Sequence, residues 1–107
     1  MNEDQRHNER KVMRTRALLR MDGIDQFLVR TTDISTTGMA IACPHPFQTG
    51  QAGQIAFEMF FNGKNNQIAV RIKVMYCIYN SHDGFKVGLQ FVNLDMSNAA
   101  IISKYML

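Results

Sequence analysis

Residues 54–79 read QIAFEMFFNGKNNQIAVRIKVMYCIY, with apolar side chains at alternate positions on both sides of Asn62-Gly63. A period of two indicates strands with one buried face, and Asn-Gly is the dipeptide most typical of a two-residue hairpin turn. This segment therefore predicts a β-hairpin with strands at residues 54–61 and 67–79. Its alternating apolar positions are Ile55, Phe57, Met59 and Phe61, then Ile68, Val70, Ile72 and Val74, with Tyr76 and Ile78 continuing the phase.

Shorter strand-like runs lie on either side of the hairpin. A broad apolar run spans residues 12–21, a second strand begins at Phe27, and a third covers residues 39–42. After the hairpin, residues 85–92 form a last alternating run. Six strands at regular spacing with tight turns predict an antiparallel all-β barrel or sandwich.

The two ends of the chain follow other patterns. Residues 1–11 are polar without an apolar period, which predicts a flexible arm and leaves residues 12–93 for the barrel. Apolar residues at helical spacing near the C-terminus predict an amphipathic helix over residues 96–107, capped by Asp95 or Ser97 and lying across the barrel. Its apolar residues are Ile101, Ile102, Tyr105 and Met106.

Composition points to one intracellular domain. The chain has 107 residues, of which 46% are hydrophobic, so residues 1–107 can form a single core. Its two cysteines, Cys43 and Cys77, are far apart, and no apolar leader precedes them. We therefore expect reduced thiols and a cytoplasmic location. No apolar run is long enough to suggest a membrane span.

Two short motifs carry the functional signal. Arg6 and Arg10 stand four positions apart in the polar arm, and Asp33-Ile34-Ser35-Thr36-Thr37-Gly38 joins two strand-like runs. Guanidinium groups pair with phosphate oxygens or with the O6/N7 edge of guanine, and carboxylates accept hydrogen bonds from amino and imino groups. The order of these groups therefore suits an anionic guanine nucleotide. Arg10 and Arg14 form a second pair with the same spacing.

An Arg-x-x-x-Arg pair followed by Asp-x-Ser-x-x-Gly resembles the signature of PilZ domains, bacterial receptors for cyclic di-GMP. The resemblance covers nearly the whole chain, including a last strand around Val87-Gly88-Leu89-Gln90-Phe91. It implies a six-stranded antiparallel PilZ-type β-barrel with a C-terminal helix. It also implies a receptor or adaptor that changes conformation on binding cyclic di-GMP and signals to a protein effector. The ligand-binding residues implied are Arg6, Arg10, Asp33, Ser35 and Gly38, with Gln5 and Gly88 in weaker roles.

In the family, the residue at the position of Gln5 influences whether one cyclic di-GMP or a stacked pair binds, and a residue other than arginine favours one. For Gly38 the residues themselves indicate a positive φ angle or a close backbone approach. Gly88 fits either a close approach or a bulge that bends the barrel. Ser35 and Thr36 also suit an ordinary turn.

Other functions find less support in the residues. His7, His45 and His82 are scattered, and no carboxylate pair or phosphate loop stands out, so we expect no enzyme, no metal site and no cofactor. One alternative is a PilZ-fold interaction module that does not bind nucleotide. Another is a small basic barrel for single-stranded nucleic acid, since the net charge is +3 and seven of the twelve basic residues lie within the first 30 positions. We expect no DNA or RNA partner, because the phenylalanines mostly follow the apolar phase.

Overall fold

The computed structural model describes residues 9–82 and 84–107. Alternating apolar residues form strands whose buried faces point to a common core, as in the repeated pattern of β2 and β6. The elements are β1 (Lys11–Val12), β2 (Arg16–Met21), β3 (Phe27–Ile34), β4 (Gly38–Cys43), β5 (Ala52–Phe61), β6 (Lys64–Asn80), β7 (Gly84–Val92) and a C-terminal helix (Met96–Met106).

Six of the strands close into a barrel. They are hydrogen-bonded in the order β3-β2-β5-β6-β7-β4, and β4 pairs again with β3, every pair being antiparallel. Closure leaves the interior filled by aliphatic and methionine side chains, among them the fully buried Leu19, Met39, Ile55 and Ile72. The predicted six-stranded antiparallel barrel with a C-terminal helix is confirmed.

The apolar run predicted at residues 12–21 is divided in the structure, and its first part belongs to a short extra strand, β1. Lys11 and Val12 pair with Ile34 and Asp33, whereas β2 pairs with the first half of β3. The run at residues 12–21 is therefore two strands on one edge of β3, and the first of them begins at Lys11. Of the predicted flexible arm at residues 1–11, residues 1–8 lie outside the described residues, and Lys11 belongs to β1.

Thr31 explains why the chain leaves the sheet between β1 and β2. Its side chain is buried, and its hydroxyl donates to the Met13 carbonyl at 2.5 Å and accepts from the Thr15 N–H at 2.9 Å. The Thr31 N–H also donates to the Thr15 carbonyl at 2.8 Å. Since a buried hydroxyl needs partners, these bonds hold residues 13–15 in a loop over β3 and fix where β1 lies.

Two strand irregularities reverse the alternation near the barrel rim. In β3, Thr31 faces Ile41 and Asp33 faces Ala40, so Thr32 is an extra residue. In β6, Val74 faces Leu89 and Tyr76 faces Gly88, so Met75 is extra. Each β-bulge moves the following side chain to the other face of the sheet.

The β6 bulge overturns one sequence expectation. The apolar phase of residues 68–74 does not continue, because Tyr76 and Ile78 lie on the outer surface, 37% and 57% exposed, while Cys77 packs against the core. Buried or half-buried side chains alternate with exposed ones on both sides of Met75. The extra residue shifts this alternation by one position, and the sequence alone does not show where such a shift occurs.

The predicted turn between β5 and β6 and the predicted cap of the C-terminal helix are confirmed. Asn62 and Gly63 both have positive φ angles, 55° and 69°, as a type I′ hairpin turn requires. The Asp95 carboxylate accepts from the Asn98 N–H at 2.7 Å and begins the C-terminal helix. Ile102 is fully buried in the core, so the helix closes the barrel. Among the described residues, no helix has both the length and the apolar character needed to cross a membrane.

Candidate functional site

Arg10 and Asp33 bring the two sequence motifs into contact. Val12 pairs with Asp33 in the β1–β3 ladder, which delivers Arg10 to the neighbourhood of that carboxylate. Arg10 Nε donates to Asp33 Oδ1 at 2.5 Å, and the two side chains are 40% and 19% exposed. Within residues 9–82 and 84–107, the guanidinium makes no other hydrogen bond. Its remaining N–H groups are therefore available to an anionic ligand.

A cleft of about 270 Å³ adjoins this ion pair on the outer face of the barrel. It lies over β4, β6 and β7, with the end of the β3–β4 turn at its edge. The cleft therefore joins Arg10 to both Gly38 and Gly88, three of the predicted site residues. The residues that line it are Arg10, Thr37, Gly38, Met39, Met75, Tyr76, Gly88, Leu89 and Gln90.

Tyr76 is the residue of this cleft that the sequence reasoning missed. Its ring lies directly on Gly88, where an added Cβ would meet ring carbons at 2.1–2.5 Å. Gly88 therefore makes room for an aromatic ring, and the bulge of this region belongs to β6 rather than to Gly88 itself. An aromatic ring with a partly exposed face is a surface on which a planar base can stack. A tyrosine opposite a glycine across two predicted strands could have signalled this contact, but the register requires the structure.

Gly38 serves packing between strands. It begins β4 opposite Gln90, and an added Cβ would lie 2.1 Å from the Leu89 carbonyl oxygen. Of the two roles considered for this glycine, the structure shows the close backbone approach, since its φ angle is not positive. The atoms that approach it belong to β7, so its expected role in admitting a ligand stays a prediction.

Ser35 is fully buried in the β3–β4 turn. Its Oγ accepts from the Thr37 and Gly38 N–H groups, both at 3.2 Å, and lies 3.3 Å from the Gly38 carbonyl. These contacts are those of a turn-forming hydroxyl, and they set the path of the chain from Asp33 to Gly38. The turn itself is shorter than expected, since Asp33 and Ile34 belong to β3. A contact between Ser35 and a base stays a prediction.

The remaining predicted residues fall outside this geometry. Arg6 and Gln5 lie outside the described residues. Arg14, the alternative partner of Arg10, is exposed between β1 and β2 and does not line the cleft. In the described part of the chain, no group of three or more histidine, cysteine or acidic side chains could hold a metal ion.

Comparison with known proteins identifies the family. The family model of the PilZ domain matches residues 4–107, nearly the full chain. The chain belongs to the PilZ domain family. No curated protein sequence matches this PilZ domain.

Solved structures share the PilZ fold at low sequence identity. The inhibitor of motility MotI/DgrA of Bacillus subtilis has a TM-score of 0.78 at 15% identity, over 90% of this chain and 46% of that one. The PilZ domain of CeSA from a cellulose-synthesizing bacterium has a TM-score of 0.62 at 10% identity, over 94% of this chain and 100% of its own.

The PlzA protein of Borreliella burgdorferi, solved in complex with c-di-GMP, has a TM-score of 0.63 at 14% identity. The match covers 98% of this chain and 42% of PlzA. This PilZ domain thus spans less than half the length of MotI/DgrA and of PlzA.

Proposed function

We propose that this PilZ domain is a receptor or adaptor that binds cyclic di-GMP at the cleft beside Arg10 and signals to a partner protein. The observation that carries the proposal is the Arg10–Asp33 ion pair at the cleft, because it joins the two motifs of the cyclic di-GMP signature. The complex of PlzA with c-di-GMP supports the choice of ligand, since that protein has the same fold.

Each group at the cleft has a chemical role in this proposal. Asp33 holds Arg10 through Nε, so the terminal nitrogens of the guanidinium contact a phosphate or the O6/N7 edge of guanine. The second carboxylate oxygen of Asp33 accepts from the N1–H and amino groups of a guanine. The Tyr76 ring offers a stacking face on the same side of the barrel. Ser35 holds the turn that follows Asp33 and leads to Gly38.

The size of the cleft constrains how the ligand sits. About 270 Å³ is below the range of about 300–1,000 Å³ that is usual for small-molecule pockets, so the cleft admits one part of a dinucleotide. The rest of the ligand lies over the outer surface, where Arg6 would contact it from the N-terminal segment. With Gln5 in place of arginine, we expect one cyclic di-GMP per chain.

Signalling follows from ligand contacts made by the N-terminal segment. A ligand that bridges residues before β1 and the surface of β6 and β7 favours the conformations in which those contacts exist. The surface next to the cleft then changes, and a protein effector that binds this surface detects the change. The proposal assigns no catalytic group and places the protein in the cytoplasm.

The test compares two arginine variants by calorimetry with cyclic di-GMP. Arg10→Ala removes one to two charge-assisted contacts, each worth about 1.5–3 kcal/mol, so we expect affinity to fall at least about tenfold. Arg14→Ala is the matched control, since Arg14 lies two residues after β1 but does not line the cleft.

Equal losses in both variants would indicate a general charge effect or a site that uses Arg10 and Arg14 as its arginine pair. Unchanged affinity in Arg10→Ala would contradict the proposed site. Absence of binding by the folded wild-type protein would favour the alternative of an interaction module that does not use nucleotide.

A further inference from the structure

A second and larger depression lies on a different part of the barrel. It has a volume of about 850 Å³ and lies over the outer faces of β2, β3, β5 and β6, away from the Arg10 cleft. We call it the β2–β5 groove. Apart from Thr15 and three core residues beneath it, it is lined by Arg16, Leu18, Leu28, Arg30, Ala56, Glu58, Gln67 and Ala69.

The floor of the groove is an apolar row that runs across four strands. Leu28 faces Leu18, Leu18 faces Ala56, and Ala56 faces Ala69 in the cross-strand register. Leu18 and Leu28 are 41% and 55% exposed, although outward positions of a barrel are usually polar. The two alanines leave a trough beside the two leucines. An apolar row this long on an outer face suits contact with another apolar surface.

Cationic side chains border the row. Arg16 and Arg30 are direct cross-strand partners on one side, an arrangement that repels within the sheet. In the described part of the chain, neither arginine lies within ion-pair distance of a carboxylate. On the other side, Arg20 faces Gln54 in the next row. Glu58 is the acidic residue of the lining, and it accepts a hydrogen bond from Gln67.

We propose that the β2–β5 groove is a docking site for an acidic amphipathic helix of a partner protein. Charge complementarity argues for acidic flanks, because a carboxylate between Arg16 and Arg30 relieves their repulsion. The apolar row argues for one apolar face on the partner. This inference does not depend on cyclic di-GMP binding, since the two sites share no lining residue.

A helix fits this site better than an extended peptide. Strand addition needs an open sheet edge, and β2, β5 and β6 each have neighbours on both sides here. The row crosses three inter-strand spacings of about 4.8 Å, or about 14 Å. That length corresponds to roughly ten helical residues, enough for apolar anchors at i, i+4 and i+7.

The test uses a designed peptide as the probe. It is a fluorescein-labelled helix of about 14 residues with leucine at i, i+4 and i+7 and glutamate on both flanks. Its control is a scrambled peptide of the same composition, which keeps the charge and loses the apolar face. Fluorescence anisotropy gives the affinities, and amide chemical shifts map the contact on the protein. We expect binding at least about tenfold tighter than the control peptide, with shifts at Leu18, Leu28, Ala56 and Ala69.

Two variants separate the charge from the shape of the groove. Arg16→Glu with Arg30→Glu keeps a like-charged cross-strand pair and reverses the sign of the charge that faces the peptide. Its control is Lys64→Glu with Lys86→Glu, the same charge change at exposed sites outside the groove. Ala69→Gln puts a polar side chain into the trough without changing the charge. We expect the arginine variant and Ala69→Gln to weaken peptide binding at least about tenfold and the lysine variant to leave it within about twofold.

Several results would overturn the proposal. They are equal binding of the scrambled peptide, equal losses in the arginine and lysine variants, shifts outside the groove, or no binding at millimolar peptide. Tighter binding of single-stranded RNA or of anionic vesicles than of the peptide would also overturn it. The Arg16→Glu, Arg30→Glu variant is also titrated with cyclic di-GMP. Because neither substitution lines the Arg10 cleft, this titration tests the nucleotide site separately from the β2–β5 groove.

Discussion

At the scale of single residues, Gly38 and Gly88 line one cleft, but Gly38 makes room for a backbone carbonyl and Gly88 for an aromatic ring. A side chain at Gly38 would collide with the main chain of β7, since its Cβ would lie 2.1 Å from the Leu89 carbonyl oxygen. A side chain at Gly88 would collide with the Tyr76 ring, which is the movable end of a partly exposed residue. The contact at Gly38 therefore affects the packing of β4 on β7, and the contact at Gly88 affects the shape of the proposed binding site.

Alanine at these two positions should therefore affect different properties. Gly38→Ala forces β4 and β7 apart, so we expect the free energy of unfolding to fall by about 1–3 kcal/mol. Gly88→Ala displaces the Tyr76 ring into solvent, so we expect less than about 1 kcal/mol in stability but a clear loss of cyclic di-GMP affinity. Thermal unfolding and calorimetry measure both quantities. A larger stability loss for Gly88→Ala than for Gly38→Ala would contradict this account of the cleft.

Cys43 is a residue whose burial has a consequence for pH. Desolvation in the core raises the pKa of the Cys43 thiol above its ordinary value of 9.0. Below that value the thiol is protonated in both the folded and the unfolded chain. Above it, only the unfolded chain ionises freely, so the folded protein loses stability as pH rises.

We therefore predict a Cys43-dependent loss of stability in alkaline solution. Between about pH 8.5 and 10.5, the melting temperature of the wild type should fall more steeply than that of Cys43→Ala. Comparing slopes removes the constant cost of the cavity that alanine leaves. Equal slopes in the two proteins would show that Cys43 does not carry the effect.

At the scale of elements, β1 positions the candidate site through Thr31. This buried hydroxyl links Met13 and Thr15, and β1 lies immediately before them on the same edge of β3. Arg10 lies one residue before β1, so its contact with Asp33 depends on where β1 lies. Thr31 thus acts on Arg10 through the backbone: it fixes Met13 and Thr15, and the β1–β3 pairing next to them fixes Arg10.

Thr31→Val tests this link. Valine keeps the shape but removes the hydroxyl, so the Thr15 N–H and the Met13 carbonyl lose a buried partner. We expect stability to fall by about 1–3 kcal/mol and cyclic di-GMP affinity to fall with it, although Thr31 does not line the cleft. Thr32→Val is the control, since among the described residues that hydroxyl makes one bond, to the Ala40 carbonyl at 3.2 Å. Affinity that is unchanged in Thr31→Val would mean that β1 does not position Arg10.

Element types were predictable from the sequence, but the phase of two strands was not. The alternation at residues 54–61, the Asn62-Gly63 turn and the Asp95 cap each rest on local chemistry, and each is confirmed. The bulges at Thr32 and Met75 depend on the partner strand. No local sequence pattern marks them. Because of these bulges, the side chains of Asp33 and Tyr76 lie on the outer face of the barrel instead of in the core.

At the scale of the whole molecule, the barrel carries two distinct surfaces. The Arg10 cleft lies over β4, β6 and β7, while the β2–β5 groove lies over β2, β3, β5 and β6. The sequence predicted Arg10 and Asp33 as ligand-binding residues. The structure shows them in an ion pair, and their binding of a ligand stays a prediction. The groove could not be predicted, because it is assembled from single outward residues of four strands whose register only the structure provides.

Calorimetric titration of the purified full chain with cyclic di-GMP tests the central claim most directly, with GTP and cyclic AMP as controls. We predict binding at micromolar or lower concentration, selective for cyclic di-GMP, with one ligand per chain because position 5 is Gln5 rather than arginine. Neither control nucleotide should produce comparable heat. A protein shown to be folded by circular dichroism that gives no heat and no thermal shift with cyclic di-GMP would contradict the claim.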